Sequence, residues 1–202
     1  LAQYHQVAQA YLRDDRPQAY IDTLRRMVEI DADKVGVRIK LAEQLLKFDE
    51  TEEALDHLGL ACDILHAEGR FEEYVKVAER LLHYDEGNER RVKELALVYL
   101  ESEKPQLAFS KLQNLFKHDA YDLDAVELLR QSLTAMGDEE RAVRILREVA
   151  VLFDGADDPE ARDHVFEMVL DIDPNHAEAR DILGLSPLPE VEPELEFQVL
   201  ED

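Results

Sequence analysis

The sequence predicts an all-α fold of stacked helical hairpins, about eleven helices in all, and three observations carry that prediction. Seven Gly, seven Pro and no Trp stand beside a surplus of Leu, Ala, Glu and Arg, which favours helix and leaves few turn residues for a β-sandwich. Apolar residues recur at i, i+3, i+4 and i+7, the stripe of an amphipathic helix. That stripe itself repeats along the chain, and a repeat array grows by stacking, so the 202 residues need not enclose one central core. Hydrophobic residues make up 46% and charged residues 35%, which is apolar enough to fold.

The repetition is clearest in GRFEEYVKVAERLLHYDEGN, from Gly69 to Asn88, and in DIDPNHAEAR, from Asp171 to Arg180. The first resembles the second helix of a tetratricopeptide (TPR) repeat with its flanking turns, and the second resembles the junction between two such repeats. The family's pattern of about 34 residues sets apolar or aromatic residues at stations 4, 7 and 11, small ones at 8 and 20, a bulky one at 24 and often Pro at 32. The resemblance covers residues 1 to 184 and implies a right-handed superhelical α-solenoid of TPR-like hairpins over 1–186.

In order along the chain, a unit starting at Leu1 places Tyr4, Val7, Ala8, Tyr11, Tyr20, Leu24 and Met27 on or beside those stations. The next, from Val35, places Leu41, Ala42, Leu45, Ala54 and Leu58. A unit from Leu55 uses Leu58, Leu65 and Leu81, and one from Glu89 uses Leu95, Ala96, Tyr99, Ala108 and Leu112. From Leu123 come Val126, Leu129, Leu133, Ala142, Leu146 and Val149, with Arg130 standing where a small residue is expected. The last unit, from Val143, places Leu146, Ala150, Phe153, Phe166, Val169 and Pro174, and a capping helix is expected near 175 to 184.

Proline supports this register. Pro17, Pro105 and Pro159 all fall at station 17, the first turn of a second helix, where proline loses no helical hydrogen bond. Gly69 and Gly137 share station 15, where the interhelix turn can require φ > 0. The phase breaks twice, from 35 to 55 and from 123 to 143, each time after 20 residues instead of 34. Helices near 51 to 67 and 138 to 153 are therefore expected to close one hairpin and open the next. Each break could exchange inner and outer helices and interrupt the groove, or the same stripe could simply match either helix.

Charge and cysteine usage narrow the function. With 47 acidic against 23 basic residues, the formal charge of −24 opposes a phosphate backbone, so no nucleic-acid partner is expected. Cys62 is the only cysteine, so no intrachain disulfide is available; in LGLACDIL it reads as a small buried hydrophobe, and a reducing cytoplasm fits it. The run Leu95 to Leu100 is far shorter than the roughly 20 residues that cross a bilayer, so no direct membrane insertion is expected. The chain opens on Leu1 without Met and without a basic, then apolar, leader, so neither a native start nor a signal peptide is visible and a piece of something longer is expected.

No chemistry stands out. The seven histidines form no HExxH, and GxxxxGK[ST], GxSxG and GxGxxG are absent, so no enzyme activity, cofactor or metal is expected. The loop DGADDPE lacks the ligand spacing of a calcium site and reads as helix capping by Asp157 or Asp158 ahead of Pro159. His83 and His118 lie near helix ends, where imidazole favours the dipole.

The resemblance implies a protein-interaction scaffold or adaptor that binds a protein or peptide segment on its concave face. An envelope or motility assembly is the family-level analogy for its setting. Some family members grip C-terminal carboxylates with Lys and Asn; His5, Gln9, Lys40 and Glu43 stand at comparable stations here, and that clamp is absent. The binding candidates are Arg90, Arg91 and Lys93 as charge contacts, with Leu97 and Leu100 as adjacent apolar positions. A second basic stripe is Arg141, Arg144 and Arg147. Either could instead be a solvated face paired with its own carboxylates.

Residues 187–202, PLPEVEPELEFQVLED, change character: three prolines, six carboxylates and no basic residue, with Leu195, Phe197 and Val199 on alternate positions. They read as an extended acidic tail that is a docking motif or a linker. The alternative function is therefore an autoregulatory or self-associating module, in which this tail occupies its own groove or a neighbour's.

Overall fold

The computed structural model describes residues 2–116 and 122–186 and shows eleven α-helices and no strand among them. The tail read over 187–202, with Leu195, Phe197 and Val199, lies outside the described residues. The helices fall into two compact units, Leu1–Asp119 and Ala120–Asp202. The first contains α1 (Ala2–Arg13), α2 (Pro17–Ile30), α3 (Val35–Lys47), α4 (Thr51–Ala67), α5 (Phe71–Tyr84), α6 (Glu89–Glu101) and α7 (Pro105–Leu115). The second contains α8 (Leu123–Ala135), α9 (Glu139–Gly155), α10 (Pro159–Ile172) and α11 (Ala177–Ile182).

The helices start and stop where the register places turns. Pro17, Pro105 and Pro159 open α2, α7 and α10 in the first turn. Six hairpin turns share one geometry. Asp15, Asp49, Gly69, Glu103, Gly137 and Asp157, all at station 15, have φ between 50° and 74°. In each case the next amide donates back to the carbonyl of the bulky station 11: Arg16 to Tyr11, Glu50 to Leu45, Arg70 to Leu65, Lys104 to Tyr99, Asp138 to Leu133 and Asp158 to Phe153, at 2.8–3.0 Å. This is the left-handed helix stop that satisfies a terminal carbonyl.

Glycine enters that conformation without cost and aspartate tolerates it, whereas a glutamate at φ 57° is strained. Glu103 is exposed, so Glu103→Gly should raise unfolding stability by about 1 kcal/mol in urea titration, the left-handed strain relieved outweighing the added chain entropy.

The register also shows how the hairpins join. α4 and α9, each 17 residues long, pack against the helix before and the helix after. In α4, Leu58 stands at station 24 of the unit from Val35 and at station 4 of the unit from Leu55, and it is fully buried. Leu146 holds the same double place in α9 at 1% exposure. The small stations are interior: Ala8, Ala42, Cys62, Ala96 and Ala150 are all buried.

Ion pairs tie alternate helices together. Arg25 of α2 reaches Glu50 and Glu53 at the start of α4, and Asp63 of α4 accepts from Arg90 and Arg91 of α6. On the other side Glu43 of α3 pairs with Arg80 of α5, and Glu79 of α5 with Lys111 of α7. The first unit is thus two layers, with α2, α4 and α6 in one and α3, α5 and α7 in the other. Its phase break changes which layer supplies the first helix of a repeat, while both layers continue through it. In the second unit Arg147 of α9 pairs with Glu178 of α11 at 2.5 Å.

Candidate partner-binding face

α6 carries the predicted contact residues. It begins because Asn88 caps it: the side-chain oxygen accepts from the Arg91 amide at 3.1 Å, and the side-chain nitrogen donates to Asp85 at 2.8 Å. Its inward face is Arg91, Val92, Leu95, Ala96, Val98 and Tyr99, all buried. Its outward stripe runs Arg90, Lys93, Leu97 and Leu100, spaced i, i+3, i+7 and i+10. The Arg90 side chain is 64% exposed and Leu97 is 42% exposed, while Lys93 and Leu100 are half-buried.

Arg91, expected as a charge contact, is instead an interior charge at 2% exposure. It lies one helical step off the outward stripe, in line with Leu95 and Val98. Its guanidinium donates to Glu94 at 2.6 Å, to Asp63 at 2.9 Å and to the Gly59 carbonyl at 3.2 Å, while its Nε is buried without a partner among the described residues. Burial pulls its pKa down, but the Asp63 hydrogen bond and the surrounding acidic groups outweigh it and the net shift is upward. Asp63 also accepts from Arg90 at 2.9 Å, so this carboxylate is shared between an exposed and a buried cation.

Neighbouring polar groups are likewise structural. Tyr74 donates to Glu94 at 3.3 Å and Tyr99 to Glu79 at 2.6 Å, and burial leads the rise in both phenol pKa values. Cys62, fully buried, is pushed up to about 11, first by burial, which suits the inert role read from its sequence context.

A network that periodicity did not single out crosses α2, α3 and α4. Arg38, 7% exposed, donates to the Ala32 carbonyl at 2.6 Å and sits 3.2 Å from His57 Nδ1. Arginine can only donate, so Nδ1 accepts and the neutral His57 carries its proton on Nε2, which faces Glu53 at 3.7 Å. Glu53 in turn binds Arg25 bidentately at 2.8 and 2.7 Å. Burial, followed by the Arg38 charge, lowers the His57 pKa below its ordinary 6.5; the Arg25 hydrogen bond lowers Glu53 below 4.5.

Both shifts act in one direction. Each group binds protons less readily when folded, so its contribution is present above the unfolded pKa and is lost as pH falls through the folded one. Stability measured by urea should therefore decline as pH drops from about 6.5 and decline further below about 4.5. His57→Gln should flatten the upper part of that decline only.

Most of the other candidate features make contacts within their own unit. In the second unit Arg141 lies 3.7 Å from Asp138, Arg147 pairs across to α11, and Arg144 is exposed. Asp158 is the cap of α10, accepting from the Ala161 amide at 3.0 Å, while Asp157 is the left-handed turn residue. Arg130 is held bidentately by Glu127 at 2.7 and 2.6 Å. Among the described residues no group of three or more His, Cys, Asp or Glu is placed to hold a metal ion, and no helix is long and apolar enough to cross a membrane.

No protein-family model matches the chain, and no curated protein matches it in sequence. Solved structures similar to it include a MamA RS-1 double mutant at 14% identity, covering 91% of this chain and 90% of that one with TM-score 0.43. YrrB, a TPR protein with an unusual peptide-binding site, is 18% identical over 80% of this chain and 98% of its own, with TM-score 0.39. A tetratricopeptide repeat protein from Parabacteroides merdae is 10% identical over 93% and 80%, with TM-score 0.40. The chain's own geometry, with first-turn prolines, six left-handed turns at one station and buried small residues at station 8, is a TPR-like fold of helical hairpins.

Proposed function

We propose that the chain is a protein-interaction module that holds a partner segment along α6, with Leu97 and Leu100 as apolar anchors and Arg90 and Lys93 as charge contacts. The observation that carries this reading is Leu97, 42% exposed on the outward stripe of a helix whose Val92, Leu95, Val98 and Tyr99 are buried. Stacked helices present such stripes side by side, and a helix or extended peptide lies along them with regularly spaced anchors. Arg90 exchanges Asp63 for a partner carboxylate without unfolding anything, because its partner keeps Arg91. Arg91 supports the surface from below and does not touch the partner. The net charge of −24 supports a protein rather than a nucleic acid as partner, and the lone Cys62 supports a reducing, cytoplasmic setting.

The test is capture from source-cell lysate by the intact chain and by its Leu97→Glu and Arg90→Glu variants, read by quantitative mass spectrometry. Both positions are exposed, so both variants keep the helical circular dichroism of the parent. At least one captured protein should fall about tenfold with Leu97→Glu, roughly the effect of losing one buried apolar anchor. Equal recovery of every captured protein by all three chains would overturn the reading.

A further inference from the structure

The two sides of the first unit differ in charge. Helices α1, α3, α5 and α7 carry seven Lys and Arg against four Asp and Glu, whereas α2, α4 and α6 carry five against nine. On the first set Glu43, Glu73 and Glu79 are already engaged by Arg80, Arg70 and Lys111, which leaves Glu72. Arg13, Lys40 and Lys47 are exposed and have no carboxylate within ion-pair distance among the described residues; Arg13 donates to the Gln9 carbonyl and Lys47 to the Gln44 side chain. Lys40 and Lys47 stand two helical turns apart on α3, about 10 Å along its axis.

Beside these cations the C-terminal ends of α1 and α3 line an open cavity of about 280 Å³. Tyr11, Leu12, Tyr20 and Phe48 form its apolar wall, and Lys47 and Arg16 stand at it as cations, with the Arg16 guanidinium 5.0 Å from the centre of the Tyr11 ring. Leu12 and Phe48 are 57% and 46% exposed, so the apolar rim is uncovered. The one carboxylate in the lining is Asp15, the left-handed residue of the first hairpin turn.

We propose that this face binds an extended acidic segment of a partner protein, which sets one large apolar side chain into the cavity and its carboxylates beside Lys47 and Lys40. Charge complementarity chooses the occupant. A chain of formal charge −24 repels an acidic partner over most of its surface and admits it where exposed cations lack carboxylates of their own. The cavity narrows the choice further: an apolar pocket next to cations takes a ligand that carries both an anion and a large apolar side chain, whereas a phosphate backbone supplies only the anion. Asp15 opposes such a ligand and holds its affinity down.

The surface shares no residue with the α6 stripe, which belongs to the other layer, so it stands or falls separately from the interaction reading above. The test is selection from a phage-displayed random peptide library on the full chain and on its Lys40→Glu, Lys47→Glu variant, which keeps the parent's circular dichroism because both lysines are exposed. The parent should enrich Asp and Glu around a single Leu, Phe or Tyr at least about threefold, and the variant should not. A labelled peptide from the parent's set should bind the variant at least about tenfold more weakly and Leu12→Ser at least about fivefold more weakly. Arg90→Glu should leave its affinity unchanged, and Asp15→Asn, which keeps a residue that tolerates the left-handed turn, should raise it. Hydrogen exchange should show peptide-dependent protection in α1 and α3. Selection of no acidic motif, the same peptides on parent and variant, or binding lost with Arg90→Glu but indifferent to the two lysines would each overturn the proposal. So would displacement of the peptide by single-stranded DNA or by phosphatidylserine vesicles that themselves bind through Lys40 and Lys47, since the ligand would then be a nucleic acid or a membrane.

Discussion

Leu58→Ala should lower unfolding stability by about 3 kcal/mol, near the middle of the range for a leucine cut to alanine in a packed core. Leu58 is fully buried, and α4, which carries it, packs against both α3 and α5. The cavity therefore opens in two hairpins at once. In a stacked array each helix is stabilised mainly by its neighbours, so damage at a shared helix loosens the helices on both sides. Urea unfolding should show a lower midpoint, and native-state hydrogen exchange should show faster exchange in α3 and α5 as well as in α4. Exchange accelerated in α4 and only one neighbour would contradict the double role. Leu146→Ala, with 1% exposure in α9, should act in the same way on α8 and α10.

That double role was legible in the sequence because stations are countable. Leu58 and Leu146 fit two overlapping units, and the 20-residue phase breaks place a shared helix there. The turns were less legible. Gly69 and Gly137 announce φ > 0, but Asp15, Asp49, Glu103 and Asp157 adopt it as well, and only the common station reveals them. A residue's type reports what it tolerates, whereas its place in the repeat reports what the backbone needs.

Charged residues were the hardest to read. The run Arg90, Arg91, Lys93 reads as one basic cluster, yet 100° of helical rotation separates neighbours and sends Arg91 inward. The signal that finds it is its alignment with Leu95 and Val98 at i+4 and i+7. The Arg38, His57, Glu53 and Arg25 network had no comparable signal, because its members come from three helices and only packing brings them together.

Truncating Arg91 should separate its packing from its charge. Arg91→Ala is expected to cost about 3 kcal/mol, because it removes a side chain that is 2% exposed and leaves a void beneath α4 and α6. Arg91→Met, which keeps an apolar stem of similar reach, should fall within about 1 kcal/mol of the parent. The physical reason lies in its partners. Asp63 is 44% exposed and keeps Arg90, and Glu94 is 30% exposed, so both carboxylates recover solvation when the guanidinium leaves. The replacement also removes a buried Nε that has no acceptor among the described residues. Urea unfolding of the two variants decides between the terms: equal losses would make the charge the source of stability, whereas a large loss for alanine with a small one for methionine would make it the packing. The second outcome would leave Arg90 as the cation of this pair that a partner can recruit, with Arg91 as the post that holds α6 at its distance from α4.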